Sequence, residues 1–292
     1  MKSLEAIKKK AAAALVGSSM LVLAAAGITF ASVPDFQSTE NIKAHNPVPV
    51  TIPYNATQVA QNVFELPSAI DPQTGKVVQG YMIVHYKNPQ ANSSARIGSS
   101  KPSACYTYLS KGAKWKNLEP WIMNTSNTRG LDGGTVFSLM QSDINKWKDA
   151  TDGNISNGSG VDILGNGSTT SEVLSSGSSA DGQNEVYFAP ISGNNAIAVT
   201  TVWGYFYGPA SSKELVEWDM VFDDADFNWS TTGASDKMDF ENISTHELGH
   251  AAGLGDLYNS CTDETMYGYA DNGETKKRDL NTGDIQGINN LY

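Results

Sequence analysis

The chain has 292 residues, 40% of them hydrophobic, which is enough for one large or two small domains with a proper core. Lys and Arg number 20 against 31 Asp and Glu, a net charge of −11, and no basic cluster follows the first ten residues. That balance argues against a nucleic-acid partner held by a basic surface, and it favours solubility without bearing on the fold.

At the N-terminus Lys2, Lys8, Lys9 and Lys10 precede an apolar run from Ala11 to Val33. Thr29-Phe30-Ala31 offers small residues at the −3 and −1 positions of a signal-peptidase site. Residues 1–31 therefore read as a signal peptide, or as an N-terminal membrane anchor, since the run is nearly long enough to cross a bilayer. Its many Ala, Gly and Ser residues make it weakly hydrophobic and favour cleavage. In either case the rest of the chain is expected outside the cytoplasm, secreted or tethered to the outer face of the membrane. Membrane contact is expected only through this segment.

Residues 32–102 are rich in Pro, Asn, Gln and Ser around a short apolar alternation from Val77 to Val84. They read as an extended N-terminal region: a propeptide, a spacer or a small strand-rich support. Residues 103–292 read as the main domain. Phe137, Met140, Ile144 and Trp147 recur at spacings of three and four and predict an amphipathic helix over 133–150. The Gly/Ser/Asn stretch 153–182 is expected to bury little and to run as a mobile surface excursion, interrupted by a strand at 161–164. Strands follow over 185–188, 196–207 and 215–223. In the last, Val216, Trp218, Met220 and Phe222 are expected on one face and Glu217, Asp219 and Asp223 on the other. A helix over 240–252 has Asp239 as its N-cap, and a closing helix over about 282–292 carries Ile285, Ile288 and Tyr292 on one side. No accessory domain is expected beyond it. Strands and helices in this order predict an α+β class.

The chemistry sits in His246-Glu247-Leu248-Gly249-His250. On a helix, positions 246 and 250 lie one turn apart, so both imidazoles point the same way and can share a tetrahedral metal. Glu247 is rotated by about 100° from His246, near enough to reach a metal-bound water without being a ligand. Zinc lowers the pKa of such a water to ~7, and the carboxylate takes its proton as it attacks a carbonyl. The bland reading is a surface helix with two solvated histidines. Gly253 and Asp256, three and six residues past His250, weigh against it. A helix cannot return position +6 to its own metal face, so the backbone must turn sharply, and glycine permits that turn. Asp256 can then be the third ligand; Glu264 or Glu274 is the rival for that place.

The segment from His246 to Asp256 resembles the metzincin zinc-binding consensus, with Asp where most members carry His, as in the snapalysin-like branch. Met266, in Glu264-Thr265-Met266-Tyr267-Gly268-Tyr269, is similar to the methionine turn beneath the metal in that clan. Within the clan the chain resembles the matrixins of microbial type. Residues 106–121 with Lys114-Trp115 resemble the first strand region. Residues 196–207 resemble the upper rim strand of the cleft, and the run from Leu280 to Ile288 resembles the closing helix. The resemblance covers about 103–292. It implies a zincin fold, a twisted mixed sheet with an active-site helix and a C-terminal helix. It also implies one catalytic zinc on His246, His250 and Asp256, with Glu247 as general base. Extended polypeptide substrates would add as a strand along 196–203, and 267–274 would wall the pocket for the residue after the scissile bond. Tyr267 or Tyr269 is read as a packing residue ahead of an oxyanion donor.

The two cysteines, Cys105 and Cys261, suggest one disulfide in an exported chain. Two free thiols, or Cys105 as an inhibitory zinc ligand, are the alternatives. Asp219, Asp223, Asp224 and Asp226 form a candidate Ca²⁺ set, or equally a solvated acidic edge. His45 and His85 are expected at the surface or in packing, because a catalytic site needs only three protein ligands. The function read from the sequence is a zinc-dependent endopeptidase. The alternative is a catalytically silent or latent cell-surface adhesion protein that keeps the fold, against which the intact Glu247 argues.

Overall fold

The computed structural model describes residues 47–88 and 104–292. The segment 1–31 and His45 lie outside the described residues. In chain order the strands and helices are β1 Thr57–Ala60, β2 Val63–Ile70, β3 Val77–Lys87, β4 Trp121–Met123, α1 Gly133–Ala150, β5 Gly167–Thr169, β6 Asn184–Ala189 and β7 Ala196–Tyr205. They continue with β8 Glu214–Asp223, β9 Trp229–Ser230, β10 Met238–Asp239, α2 Phe240–Ala251, β11 Tyr269–Ala270 and α3 Thr282–Leu291. No described helix is long and apolar enough to cross a membrane.

Nine strands form one mixed sheet in the order β1-β2-β3-β7-β8-β6-β4-β5, with β11 added alongside β3. Strands β8, β6, β4 and β5 run parallel to one another, whereas β7 is antiparallel to β8 and β3 is antiparallel to β7. This is the α+β class expected from the sequence. The boundary drawn at 102/103 lies outside the described residues. Residues of 32–102 supply three strands of the same sheet, and β3 pairs along β7 from Gln79↔Gly204 to Tyr86↔Ala196. Composition left a propeptide, a spacer or a small strand-rich support open, and the described part of the region forms strands. An alternating strand does not announce which edge it joins.

Alternation sends residues to two cores. Ile83, Val186, Phe188, Trp218, Met220 and Phe222 pack beneath the helices with Met140, Ile144, Trp147, Phe240, Ile243 and Leu248. Their neighbours Met82, Val84, Tyr187, Trp203 and Val221 fill the opposite face with Val50, Leu66 and Leu174. Strand β8 is thus buried on both sides, not half solvated. A bulge where Trp203 faces Glu217 and Gly204 faces Leu215 breaks its alternation. Leu215 joins the Trp218 core, and Val216, expected beside Trp218, packs on the other face.

Helix α1 matches its predicted span, capped by Asp132, which accepts from Thr135 N at 2.8 Å. Its Trp147 indole donates to Thr245 O of α2 at 2.8 Å and fixes the two helices together. Helix α2 is capped as predicted by Asp239, which accepts from Asn242 N at 3.0 Å. The strand expected at 161–164 is absent. Ile163 and Leu164 instead plug the core, and β5 follows at 167–169 as a sheet edge on β4. The stretch 153–182 therefore buries more than its composition suggests, Leu174 included. Ile163, Leu164 and Leu174 point inward, whereas Ile155, Val161 and Val173 stay exposed.

Candidate metal centre

Helix α2 lies across the helix-side face of β7 and carries His246 and His250 on successive turns. It ends at Gly253, where φ of +104° turns the chain back. Leu254 N returns to Gly249 O at 2.9 Å, and the next residues bring Asp256 over the helix face. The methionine turn closes from below. Met266 is buried against Gly249, where an added Cβ would stand 2.2 Å from the methionine sulfur. Asp284 of α3 accepts from Thr265 N at 2.7 Å and Met266 N at 3.1 Å, so the closing helix holds that turn in place.

The result is a three-atom donor set. His246 Nε2 and His250 Nε2 lie 3.2 and 3.4 Å from Asp256 Oδ1. Donors 2.0–2.1 Å from a tetrahedral zinc stand about 3.3 Å from one another, so these two edges have the length such an ion requires, and all three atoms lie within 4.8 Å of one another. These same three atoms are buried without a hydrogen-bond partner, which is costly unless a cation satisfies them. The rear nitrogens are engaged: His246 Nδ1 meets Thr265 O at 2.6 Å and His250 Nδ1 meets Leu254 O at 3.0 Å. A carbonyl only accepts, so each Nδ1 carries the proton and each Nε2 lone pair faces the centre. Tyr258 donates its hydroxyl to the outer oxygen of Asp256, Oδ2, at 2.9 Å.

Charge is arranged to match. Burial would raise the Asp256 carboxyl, but the facing His250 and His246 rings hold it well below its ordinary value. Burial, then the Lys277 ammonium, pushes His246 down to about 4. Burial opposes charge on His250 also, yet Asp256 outweighs it and the ring is raised.

Glu247, beside His246, also reaches the sheet. Thr200 of β7 donates to its Oε2 at 2.6 Å, and burial pushes the carboxyl up to about 7. Its Oε1 lies 2.8 Å from Nδ1 of His85. Of the surface or packing positions expected for His85, the packing one holds, and the ring bears on the site. The ring is 1% exposed, lies 4.0 Å from the His246 ring between centroids, and joins His246 and Glu247 in a second cluster of donor atoms. On its far side Nε2 faces Lys277 Nζ at 3.4 Å. An ammonium only donates, so the proton is on Nδ1 and goes to Glu247. Lys277 is fully buried, donates to Tyr267 O and Tyr269 O, and is brought down to about 8 by desolvation.

Several expectations are corrected. Glu264 and Glu274 are not third donors: Glu264 accepts from Gly283 N at 2.9 Å, and Glu274 lies 3.9 Å from Lys277. Cys105 is no zinc ligand, being bonded to Cys261 with their Cα atoms 5.6 Å apart. The calcium set is not assembled. Asp219 sits with Glu185 and Glu217, while Asp223 accepts from Ile191, Ala225 and Asp226 amides and Asp224 accepts from Thr128 N. Asp226 enters this network only through its amide. Tyr267 and Tyr269 pack together at 6.1 Å between centroids, as expected.

His85, Thr200, Tyr258 and Lys277 were missed. One signal existed for His85: it shares the inward parity of Ile83 on β3. Lys277 gave none, since Lys276-Lys277-Arg278 reads as a solvated charge run.

Residues 204–292 match the Matrixin family of peptidases, Peptidase_M10. Over 76 residues the chain is 37% identical to metalloendoproteinase 2-MMP of Arabidopsis thaliana, covering 24% of this chain and 19% of the relative. The chain thus spans about a fifth of that relative's length. Among solved structures it is similar to metalloproteinase-II from Bacteroides fragilis, with a TM-score of 0.33 and 10% identity over 80% of each chain.

Proposed function

We propose that the chain is an exported zinc metalloendopeptidase of matrixin type, with the metal held by His246, His250 and Asp256. One observation carries the reading: three buried, unpartnered donor atoms converge, with Asp256 Oδ1 at 3.2 and 3.4 Å from the two imidazole nitrogens, beside a buried carboxylate. The Matrixin match over 204–292 supports it, since all four residues lie within that span. Zinc bound there supplies a Lewis acid and lowers the pKa of water to about 7.

The chain's own residues do the rest. Glu247, adjacent to the donor set and raised to about 7, is poised to accept the proton of an attacking water and return it to the leaving amine. Thr200 fixes the rotamer through Oε2, which leaves Oε1 as the proton-accepting atom. The Nδ1 hydrogen bonds and Tyr258 hold the donors in their orientation. The N-terminal charged and apolar run and the disulfide support export.

Zinc content of the purified chain tests the site. About one zinc per chain is expected, retained in Glu247→Ala and lost in His250→Ala. Absence of zinc from the unaltered chain sinks the assignment.

A further inference from the structure

We propose that Lys277 sets the side-chain preference of the site: the slot between Glu247 and Lys277 takes an uncharged side chain that carries a hydrogen-bond acceptor, glutamine first. This rests on the peptidase reading and deepens it, by naming the class of polypeptide residue bound beside the metal donors.

The slot is defined by the imidazole that fills it in this structure. His85 stands opposite Ala198 in the pairing of β3 with β7, and it shares the helix-side face with Ile83. Its ring lies 4.0 Å from the His246 ring between centroids, so one wall of the slot is a metal-donor residue. Glu247 forms a second wall, with Oε1 at 2.8 Å from His85 Nδ1. The floor is Lys277, whose Nζ lies 3.4 Å from His85 Nε2. An extended polypeptide paired with β7 in the same register puts one side chain into this space.

A buried ammonium makes an exacting floor. Lys277 is 0% exposed and belongs to the short 3-10 turn Lys276–Arg278, of which it is the buried member. Its Nζ donates to Tyr267 O and Tyr269 O, and the Glu274 carboxylate is no nearer than 3.9 Å. The third N–H is left to whatever occupies the slot. The lysine cannot withdraw, because its own backbone N–H is tied to Asn242 Oδ1 of α2 at 2.8 Å. An apolar occupant would therefore strand a charged donor away from water, which costs more than stranding a neutral one. A site built to hydrogen-bond its ligand rejects an analogue that lacks the group.

Reach and charge narrow the choice. His85 Nε2 is as many covalent bonds from its Cα as the side-chain oxygen of glutamine or glutamate, and one more than that of asparagine or aspartate. A glutamate would set its carboxylate against Glu247, with no N–H to offer. A glutamine turns its oxygen to Lys277 and its amide N–H toward Glu247, matching both walls as the imidazole does.

The test uses position 85 of the full, zinc-loaded chain as the reporter. His85→Gln, His85→Glu and His85→Leu are compared by urea unfolding, each with Lys277 and with Lys277→Met. With Lys277 present, the Gln chain should have an unfolding constant roughly tenfold or more below that of the Leu chain, with Glu worse than Gln. Lys277→Met should keep its zinc and erase or reverse the order of Gln and Leu. The sites cut in a generic unfolded protein, mapped by mass spectrometry, give the second readout. Gln should be enriched at the residue after the cut for the unaltered chain and give way to Leu and Met for Lys277→Met. Leu equal to or better than Gln at position 85 overturns the proposal, and the Lys277 series decides this even if Lys277→Met does not fold. An unchanged cutting pattern in Lys277→Met overturns it too. If the order at position 85 holds but the zinc-loaded chain cuts nothing, the peptidase reading fails and the subsite with it, which separates that failure from a wrong account of the slot.

Discussion

Gly249 is the point at which the helix and the methionine turn touch, and Gly249→Ala should disturb both stability and metal affinity. An ideal Cβ there lies 2.2 Å from Met266 Sδ, 2.8 Å from Trp147 Cζ2 and 3.0 Å from Met266 Cε, all closer than real Cβ contacts. The sulfur is mid-chain in a side chain that is 1% exposed, and Trp147 is pinned by its bond to Thr245 O, so neither can swing away freely. Overpacking of this kind costs about 1–3 kcal/mol. Replacing a mid-helix glycine by alanine returns roughly 1 kcal/mol through helix propensity. The clash is severe enough to place its cost at the upper end, leaving a net loss of about 2 kcal/mol. Relief comes by moving the turn away from α2, which stretches the 2.6 Å bond between His246 Nδ1 and Thr265 O. Loss of such a partner lowers metal affinity by about 10–100-fold. Urea unfolding and zinc competition against a chromophoric chelator measure the two effects. Adding Met266→Ala should restore part of the stability, giving a positive coupling in the double-mutant cycle. A Gly249→Ala chain as stable as the parent, with unchanged zinc affinity, would falsify the claim that this contact sets the donor geometry.

Tyr258→Phe removes only the hydroxyl that orients Asp256, so zinc affinity should fall by roughly 10-fold with the fold intact; unchanged affinity means Asp256 is oriented by other means. Burial pushes Glu185 and Glu217 up to about 7 and Asp219 up as well. Between the ordinary carboxylate value and 7 the folded chain holds protons the unfolded chain has released, so these groups stabilise most at low pH and lose that contribution as pH rises toward 7. Glu217→Gln should flatten that fall in urea midpoints between pH 4.5 and 8, and an identical slope in parent and variant counts against it. Replacing Cys105 and Cys261 by Ser should cost about 2–5 kcal/mol in urea unfolding, because the bond joins residues 156 apart. Zinc content should not change, since neither sulfur is a donor; zinc loss in the folded variant would reopen the cysteine-ligand alternative.

What the sequence determined by itself is what local spacing controls. His246 and His250 share a face because one helical turn separates them, Asp239 caps that helix with its own side chain, and Gly253 supplies the backbone reversal that returns Asp256. The helices over 133–150 and 282–292 were legible for the same reason, periodicity and caps being short-range. The Cys105–Cys261 bond followed from a count of two. Tertiary structure alone decided the rest. His85 lies 162 positions from Glu247 and 192 from Lys277, and nothing in the composition of 32–102 ties it to either. The β8 acids were read as one set because they are near in sequence. The strand separates them, sending Asp219 to Glu185 and Glu217 while Asp223 binds loop amides. Residues 161–164 have a strand's composition but no strand partner at that position, so Ile163 and Leu164 serve as core plugs while Val161 stays exposed. Period and capping are written within a few residues, whereas sheet order and the identity of a buried neighbour depend on which distant surfaces meet. That is why the convergence of His246, His250 and Asp256 could be read in the chain and the strand that brings His85 to Glu247 could not.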